Sequence, residues 1–440
     1  MQYLPNILFA ILLIAGIGYF TRNIKKVIRN IKLGQAVSEV DNKKQRWNNV
    51  VRIALGQSKM VVRPVAGFLH IIVYVGFIII NIEVVEIIID GLLGTHRIFA
   101  FLGPVYDVLI ASFEILAALV LISVILFWIR RNVQRIKRFL SPEMKGWPKN
   151  DGNIILYFEV VLMFLFLTMN GADAQLQTLG ADHYVAAGSF PISGLFSGVF
   201  DGFTEGTLIL IERTAWWLHI IGILIFLNYL YFSKHLHIML AFPNVYFGRI
   251  QPKGQFKNLE SVTNEVKLMM DPTADPFAAP PADAEAPAKF GASDVTDLSQ
   301  IQLLNAYTCT ECGRCTSECP ANQTGKKLSP RKIMMDTRDR LEEVGKNIDK
   351  NGSFEPDDKQ LLDDYITKEE LWACTTCNAC VEACPVSIDP LSIIMDMRQY
   401  LVMEQSAAPS ELNVTMTNIE NNGAPWPFNQ MDRANWINES

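Results

Sequence analysis

The chain of 440 residues has no cysteine before position 309 and none after position 384. With all eight cysteines in one stretch, none is spare for covalent catalysis. Adjacent pairs two residues apart also make poor bridges for a disulfide-stapled fold. Basic residues are scarce in two other places: 91–103 carries only Arg97, and 171–206 carries no Lys or Arg. No basic run precedes the first apolar stretch, so it does not read as a cleavable signal peptide. No motif for a small-molecule substrate pocket is present. Nucleic-acid binding has no support, because the basic clusters adjoin apolar stretches long enough to span a bilayer.

The cysteines form two copies of C-x2-C-x2-C-x3-C-P: Cys309, Cys312, Cys315, Cys319-Pro320 and Cys374, Cys377, Cys380, Cys384-Pro385. Three closely spaced thiolates wrap one side of an iron–sulfur cubane, and the proline turns the chain away after the fourth. In two-cluster ferredoxins the fourth cysteine of each run serves the other cluster. The expected ligand sets are therefore Cys309, Cys312, Cys315 with Cys384, and Cys374, Cys377, Cys380 with Cys319, each around one [4Fe–4S] cluster. Zinc sites of four thiolates are the competing reading, but zinc ribbons rarely crowd four cysteines before a proline.

The net charge of −6 hides a division near residue 250. Residues 1–250 hold 22 Lys+Arg and 15 Asp+Glu, a net of +7, whereas 251–440 hold 17 and 30, a net of −13. Five apolar stretches in the basic half reach the length of about 20 residues that a membrane helix needs: roughly 3–20, 64–90, 104–128, 153–170 and 207–232. Segment 21–63 carries eleven Lys+Arg and 129–152 carries seven. By the positive-inside rule these loops and the C-terminal half lie inside and the N-terminus outside, as in a bacterial cytoplasmic membrane. Part of 21–63, with Val27, Ile28 and Ile31 beside Lys25, Lys26 and Arg29, reads as a solvated interfacial helix at anionic headgroups.

The expected architecture is an all-α membrane bundle of five transmembrane helices at 1–250, a linker at 251–297 and an α-helical two-cluster ferredoxin-like domain at 298–440. The Ala-, Pro- and Asp-rich run 271–293 gives the linker its semi-extended character. The second half contains a repeat: each cysteine run is followed by a helical segment, Ile333-Met334-Met335-Asp336 in one copy and Ile393-Ile394-Met395-Asp396 in the other. Ser329-Pro330 reads as an N-cap with proline at the first helical position, and Thr367 to Glu370 as a capping box.

Four of the six histidines are candidate cofactor ligands. His70 lies about two turns inside the second span, His219 midway along the fifth, and His235 and His237 at that span's inner end. On a continuous helix His219 and His237 stand about 27 Å apart, too far to share one haem. His70 and His237 share the inner level and form the expected bis-His pair for a b-type haem. His235 would point about 200° away from His237 on such a helix. A second, outer haem would need a partner for His219 near Ile80, where none exists. For His219 three roles stay open: quinone ligand, remnant of a lost haem site, or hydrogen-bonded core residue. His96 and His183, in the outer loops, show no evident partner. Glu83, Glu86, Glu114 and Glu212, beside Arg213, sit in the outer halves of spans and suit either proton exchange at a quinone pocket or a structural network; Glu159 lies in the fourth span.

The span-five segment, with Ser233-Lys234 before His235-Leu236-His237-Ile238, resembles the haem-binding end of the nitrate reductase gamma subunit. The resemblance implies that His70 is the inner-haem ligand. The outer-haem histidine of that family, ten residues later, is replaced by Ile80. The second half resembles the iron–sulfur subunits of membrane heterodisulfide reductases, through Cys309-Thr310-Glu311-Cys312-Gly313-Arg314-Cys315, Thr324-Gly325-Lys326 and the segment Asn418 to Trp426. There the chain has Gly423-Ala424-Pro425 where the family often has Gly-Asn-Pro. Catalytic subunits of that family carry further cysteine-rich repeats, absent here. The resemblance therefore implies an electron-transfer subunit working with a separate cytoplasmic cysteine-rich catalytic partner. Together these readings describe a conduit between a membrane quinone and a cytoplasmic redox partner, through haem b and two [4Fe–4S] clusters. The alternatives are a haem-free membrane anchor for a ferredoxin-like module, or a structural subunit of a membrane assembly.

Overall fold

The computed structural model describes residues 3–36, 41–252, 254–255, 258, 260–273 and 289–438. Among these it is helical, with no strands and only two isolated bridges, Gln35 to Ser299 and Leu362 to Ile366. Five helices are long and apolar enough to cross a membrane: Leu4–Ile31, Pro64–Leu93, Pro104–Asn132, Trp147–Leu179 and Glu205–Phe232. Four of them open with proline in the first turn, where its missing N–H costs nothing. Gly94 and Gly180, with φ of 73° and 67°, end the second and fourth in the left-handed conformation that glycine adopts freely.

These helices have 28 to 33 residues, about 42–50 Å, well beyond the ~30 Å of bilayer hydrocarbon. The excess explains why hydropathy alone gives shorter spans. Polar Asn170 and Asp173 extend the fourth helix past its apolar run because both side chains are buried inside the bundle. The core joins Phe9, Ile110, Phe113, Ala117, Phe166, Trp216 and Ile220, while Ile7, Ile11, Ile14, Phe164 and Ile225 face outward.

The first helix corrects the expectation of a solvated interfacial segment. Residues 21–31 continue the first span without a break and run into the second half of the chain. Val27 is buried there, and Asn30 Nδ2 donates to the Tyr307 hydroxyl at 2.9 Å. Lys26 and Arg29 both pair with Asp349 at 2.5 Å. These charges bind the protein's own acidic half instead of headgroups, because helix continuation carries them past the membrane.

The cysteine-bearing half sits against the end of the bundle from which the first helix emerges. One continuous hydrophobic cluster unites Val27, Ile155, Phe226, Leu230 and Leu236 with Leu298, Leu303, Tyr307, Ile333 and Leu341. Arg331, fully buried, donates to the Arg138 carbonyl and to Glu143 Oε1, each at 2.7 Å. Arg63 pairs with Glu318 at 2.8 Å. The compositional boundary near residue 250 is therefore not a boundary in packing. Of the expected linker, 260–270 is helical, and 274–288 lie outside the described residues. Residues 289–297 join the packed half: Ala292 N donates to the Asp396 carbonyl at 3.0 Å, and Asp294 pairs with buried Arg340 at 2.8 Å. Both expected caps form, with Ser329 opening helix Pro330–Asn351 and the Thr367–Glu370 capping box opening Lys368–Trp372.

Candidate electron-transfer site

Each cysteine run folds the same way. In the first, Glu311 and Gly313 take φ of 53° and 70°; in the second, Thr376 and Asn378 take 56° and 60°. Left-handed residues two and four places after the first cysteine turn successive backbone N–H groups to the inside of the loop, a concavity suited to an anionic cluster. The Thr376 N–H donates to Cys374 Sγ at 3.4 Å and the Ile388 N–H to Cys384 Sγ at 3.2 Å. Helices Arg314–Glu318 and Ala379–Ala383, which follow the two loops, pack against each other. The packing brings Cys384 beside Cys309, Cys312 and Cys315, and Cys319 beside Cys374 and Cys380.

Burial pushes the free thiols of Cys309 and Cys380 up to about 12 and Cys384 up to about 11, and neighbouring thiols add to the shift. Metal binding would draw these buried groups into the thiolate form, with loss of their protons. The donor set thus fits iron–sulfur. Among the described residues no three His, Cys, Asp or Glu side chains converge as ligands of a single ion would. A cubane, whose thiolates attach at separate corners, does not require that convergence.

The two loops have different surroundings. The first faces the membrane bundle. Arg314 Nη1 donates to the Lys59 carbonyl at 2.8 Å, and buried Glu311 lies between Lys234 and Arg338, the latter at 2.8 Å. Burial alone would raise the Glu311 carboxyl, but the two cations hold it below the usual range. The second loop leaves Cys377 exposed.

Next to the first loop lie three histidines. The fifth span ends at Phe232, and Ser233 is extended (φ −103°, ψ 149°) before a new helix begins at His237. The Ser233 hydroxyl donates to Asp151 at 2.7 Å and accepts from His235 N at 3.1 Å, fixing the break. The continuous-helix geometry expected for His219, His235 and His237 therefore fails at Ser233. Instead of facing away from each other, the His235 and His237 rings lie 5.5 Å apart and perpendicular. Both are close to His70, which also feels Arg314 of the first cluster loop. His237 Nδ1 bonds the Lys234 carbonyl at 3.0 Å, which leaves Nε2 as the free lone pair. Burial lowers both His235 and His237 from the usual histidine range, His235 to about 3, which favours the neutral rings. His70 Nδ1 is buried without a partner. Neutral rings with an unused nitrogen and an orphaned nitrogen beside them fit a haem iron.

At mid-depth, buried His219 bonds the Leu162 carbonyl at 3.0 Å and lies 5.9 Å from the Phe166 ring, with no second histidine facing it. At the far end of the bundle is a cavity of ≈ 440 Å³ lined by Glu83, Glu86, Arg97, Asp173, Glu212 and Trp216 among others. Glu114 is not part of it: its carboxylate accepts from the Ile192 and Ser193 N–H groups at 2.9 and 3.1 Å and holds an outer loop. Nor are His96 and His183 without company, for His96 Nε2 meets Asp173 at 3.2 Å and the two rings lie 5.9 Å apart. Sequence reasoning missed Arg97 and Asp173 as a buried pair, joined at 2.6 Å. The signal was present: Arg97 is the single basic residue of 91–103.

A family model described as a 4Fe-4S dicluster domain matches residues 308–388. The chain is 30% identical over 463 aligned residues to a probable iron-sulfur-binding oxidoreductase, FadF, of Bacillus subtilis, covering 99% of this chain and 61% of that one. It is 26% identical to the EtfAB:quinone oxidoreductase of Syntrophomonas wolfei, over 94% of this chain and 55% of that one. One component of a CoB-CoM heterodisulfide reductase of Methanosarcina acetivorans matches 29% of this chain at 30% identity, covering 65% of the relative. The chain thus spans little more than half the length of the first two of these relatives. No solved structure matches it. It carries a 4Fe–4S dicluster domain and is similar along nearly its whole length to two oxidoreductases, one of them named as iron–sulfur-binding.

Proposed function

We propose that the chain passes electrons between a quinone of the bilayer and a redox protein on the cluster side. The carriers would be one b-type haem, held by His70 and His237, and the two [4Fe–4S] clusters. The observation that supports this most is the convergence of His70, His235 and His237 beside Arg314 of the first cysteine loop. Haem and clusters supply one-electron chemistry when bound. The chain's residues do the rest: the Lys234 carbonyl orients His237, Ser233 and Asp151 fix the turn, and Lys234 with Arg338 neutralises Glu311 next to the first cluster. His235 and His219 are the remaining candidates for a haem or quinone contact.

The quinone would occupy the far cavity, where Glu83, Glu86, Glu212 and Arg213 meet the aromatic wall of Trp216 and Trp217. On this reading the cavity faces outward, the N-terminus is outside, and the clusters lie in the bacterial cytoplasm. A relative named for EtfAB and quinone supports EtfAB as the partner. A cysteine-rich catalytic subunit of heterodisulfide reductase type is the second candidate, supported by the shorter match to such a complex.

The deciding experiment is the optical spectrum of the detergent-purified protein, oxidised and then reduced with dithionite. A Soret band and sharp α-band above the broad bleachable shoulder at about 400 nm are expected, with loss of the haem bands in His70→Ala and His237→Ala. The shoulder alone would leave the membrane half an anchor or a quinone site without haem.

A further inference from the structure

The far end of the bundle holds several carboxylates, but they are not equivalent. Glu86 accepts from the Tyr106 hydroxyl at 2.8 Å and from the Phe99 N–H at 2.9 Å. Glu212 is bonded by Arg213 at 2.6 Å and by Tyr184 at 3.0 Å. Asp173 is held by Arg97 and His96, and Asp90 by Thr95 and the Arg97 N–H. Glu83 differs. It is 3% exposed, lines the cavity, and one of its oxygens is buried with no hydrogen-bond partner. A buried carboxylate left unpartnered is costly, and such groups are retained where they exchange a proton.

The surroundings favour a flat redox-active ring. Phe9 and Trp216 lie 5.3 Å apart and Trp216 and Trp217 5.2 Å apart, forming an aromatic wall. Arg97, Asp173, Tyr106 and Asn170 form a rigid hydrogen-bonded block behind Glu83, with every guanidinium nitrogen of Arg97 engaged. His96 Nδ1 accepts from the Val185 N–H at 3.1 Å, so its own proton lies on Nε2 and points to Asp173. Thr95, His96 and His183 line the cavity on loops at the membrane face opposite the cysteine-bearing half.

Resting on the quinone reading above, we propose that Glu83 is the group that exchanges protons with the quinone oxygens, and that these protons pass to the membrane face opposite the clusters. Oxidation of one quinol breaks two O–H bonds and sends two electrons to the iron centres. The first proton goes to the Glu83 carboxylate. It leaves through the mouth lined by His96 and His183, and Glu83 then takes the second. Quinone reduction runs the same steps backwards.

The test uses the whole protein and a short-chain naphthoquinone. Binding is followed by tryptophan quenching, and electron delivery by bleaching of the iron–sulfur absorbance on mixing with the naphthoquinol. Glu83→Gln is expected to bind within about threefold of wild type but to lose about 100-fold or more in the bleaching rate, with partial rescue by Glu83→Asp. An unchanged rate in Glu83→Gln would overturn the proposal, and so would parallel loss of binding and rate. Sidedness needs no variant. In vesicles whose clusters face outward, naphthoquinol with an external one-electron oxidant should acidify a trapped pH dye. Acidification of the outer medium alone would also overturn it. If wild type neither binds nor is reduced by the naphthoquinol, the quinone reading itself fails.

Discussion

The two cysteine loops share spacing and backbone conformation but not neighbours. The first is enclosed: Glu311 is clamped by Lys234 and Arg338, and Gly313 lies against Arg331 and Arg138. The second is open, with Cys377 at the surface. The arginine at the same place in each following helix shows the divergence. Arg338 reaches the Glu311 side chain, whereas Arg398 donates to the Leu371 and Cys374 carbonyls and stacks 4.8 Å over Trp372. The repeat sets the shape of each cysteine loop, and the surroundings set which loop faces the bundle and which is open to the surface.

The largest expected effect tests the crossed ligand sets. Cys384→Ser should deplete the cluster of the first loop, although Cys384 belongs to the second run, lowering non-haem iron from about eight to about four atoms per chain. If the enclosed cluster survives while the open one is lost, each run serves its own cluster.

Next come paired substitutions at equivalent positions. Gly313→Ala adds left-handed strain and drives a Cβ into the Arg331 guanidinium, a cost of roughly 3 kcal/mol or more. Asn378→Ala, at φ 60°, should cost only about 1 kcal/mol. Equal shifts in thermal midpoint would show that the enclosure of the first loop carries no energetic weight.

Lys234→Met leaves buried Glu311 with Arg338 alone and should destabilise by about 2–3 kcal/mol in denaturant titration. Among the described residues no comparable pair guards the second loop, so a shift below about 0.5 kcal/mol would place the docking energy in the hydrophobic cluster instead.

The smallest effect concerns the helices after the loops. Burial pushes the Asp336 carboxyl up to about 7, against the pull of Lys332, while its counterpart Asp396 accepts from Gln302 at 2.6 Å. A raised folded value means a contribution present in acid and lost as pH rises through about 7. Asp336→Asn should therefore flatten the fall in thermal midpoint between about pH 4 and 7. An unchanged slope would remove Asp336 as its source.

Much of this was legible in the sequence. The cysteine spacing specified both loops, and hydropathy found all five spans. Proline and the S/T-x-x-E pattern marked the helix starts. What escaped notice depends on long-range packing. Asn30 meeting Tyr307, and Arg331 meeting Arg138 and Glu143, leave no periodic trace. The break at Ser233 depends on Asp151, far away in sequence, so a helix drawn straight from 219 to 237 misplaced His235. Pairing Arg97 with Asp173 needs the fourth span to run longer than its apolar core.

The first helix, running unbroken from Leu4 to Ile31, ends against the module that holds the clusters. A strut of this kind makes the membrane part and the redox part a single packed unit. Cutting the chain near residue 250 would unmask Tyr307 and the Arg331 guanidinium and leave Glu311 facing water without Lys234. The separated halves should be poorly behaved in solution, and an ancestor that exchanged one half would have had to rebuild the seam in the other.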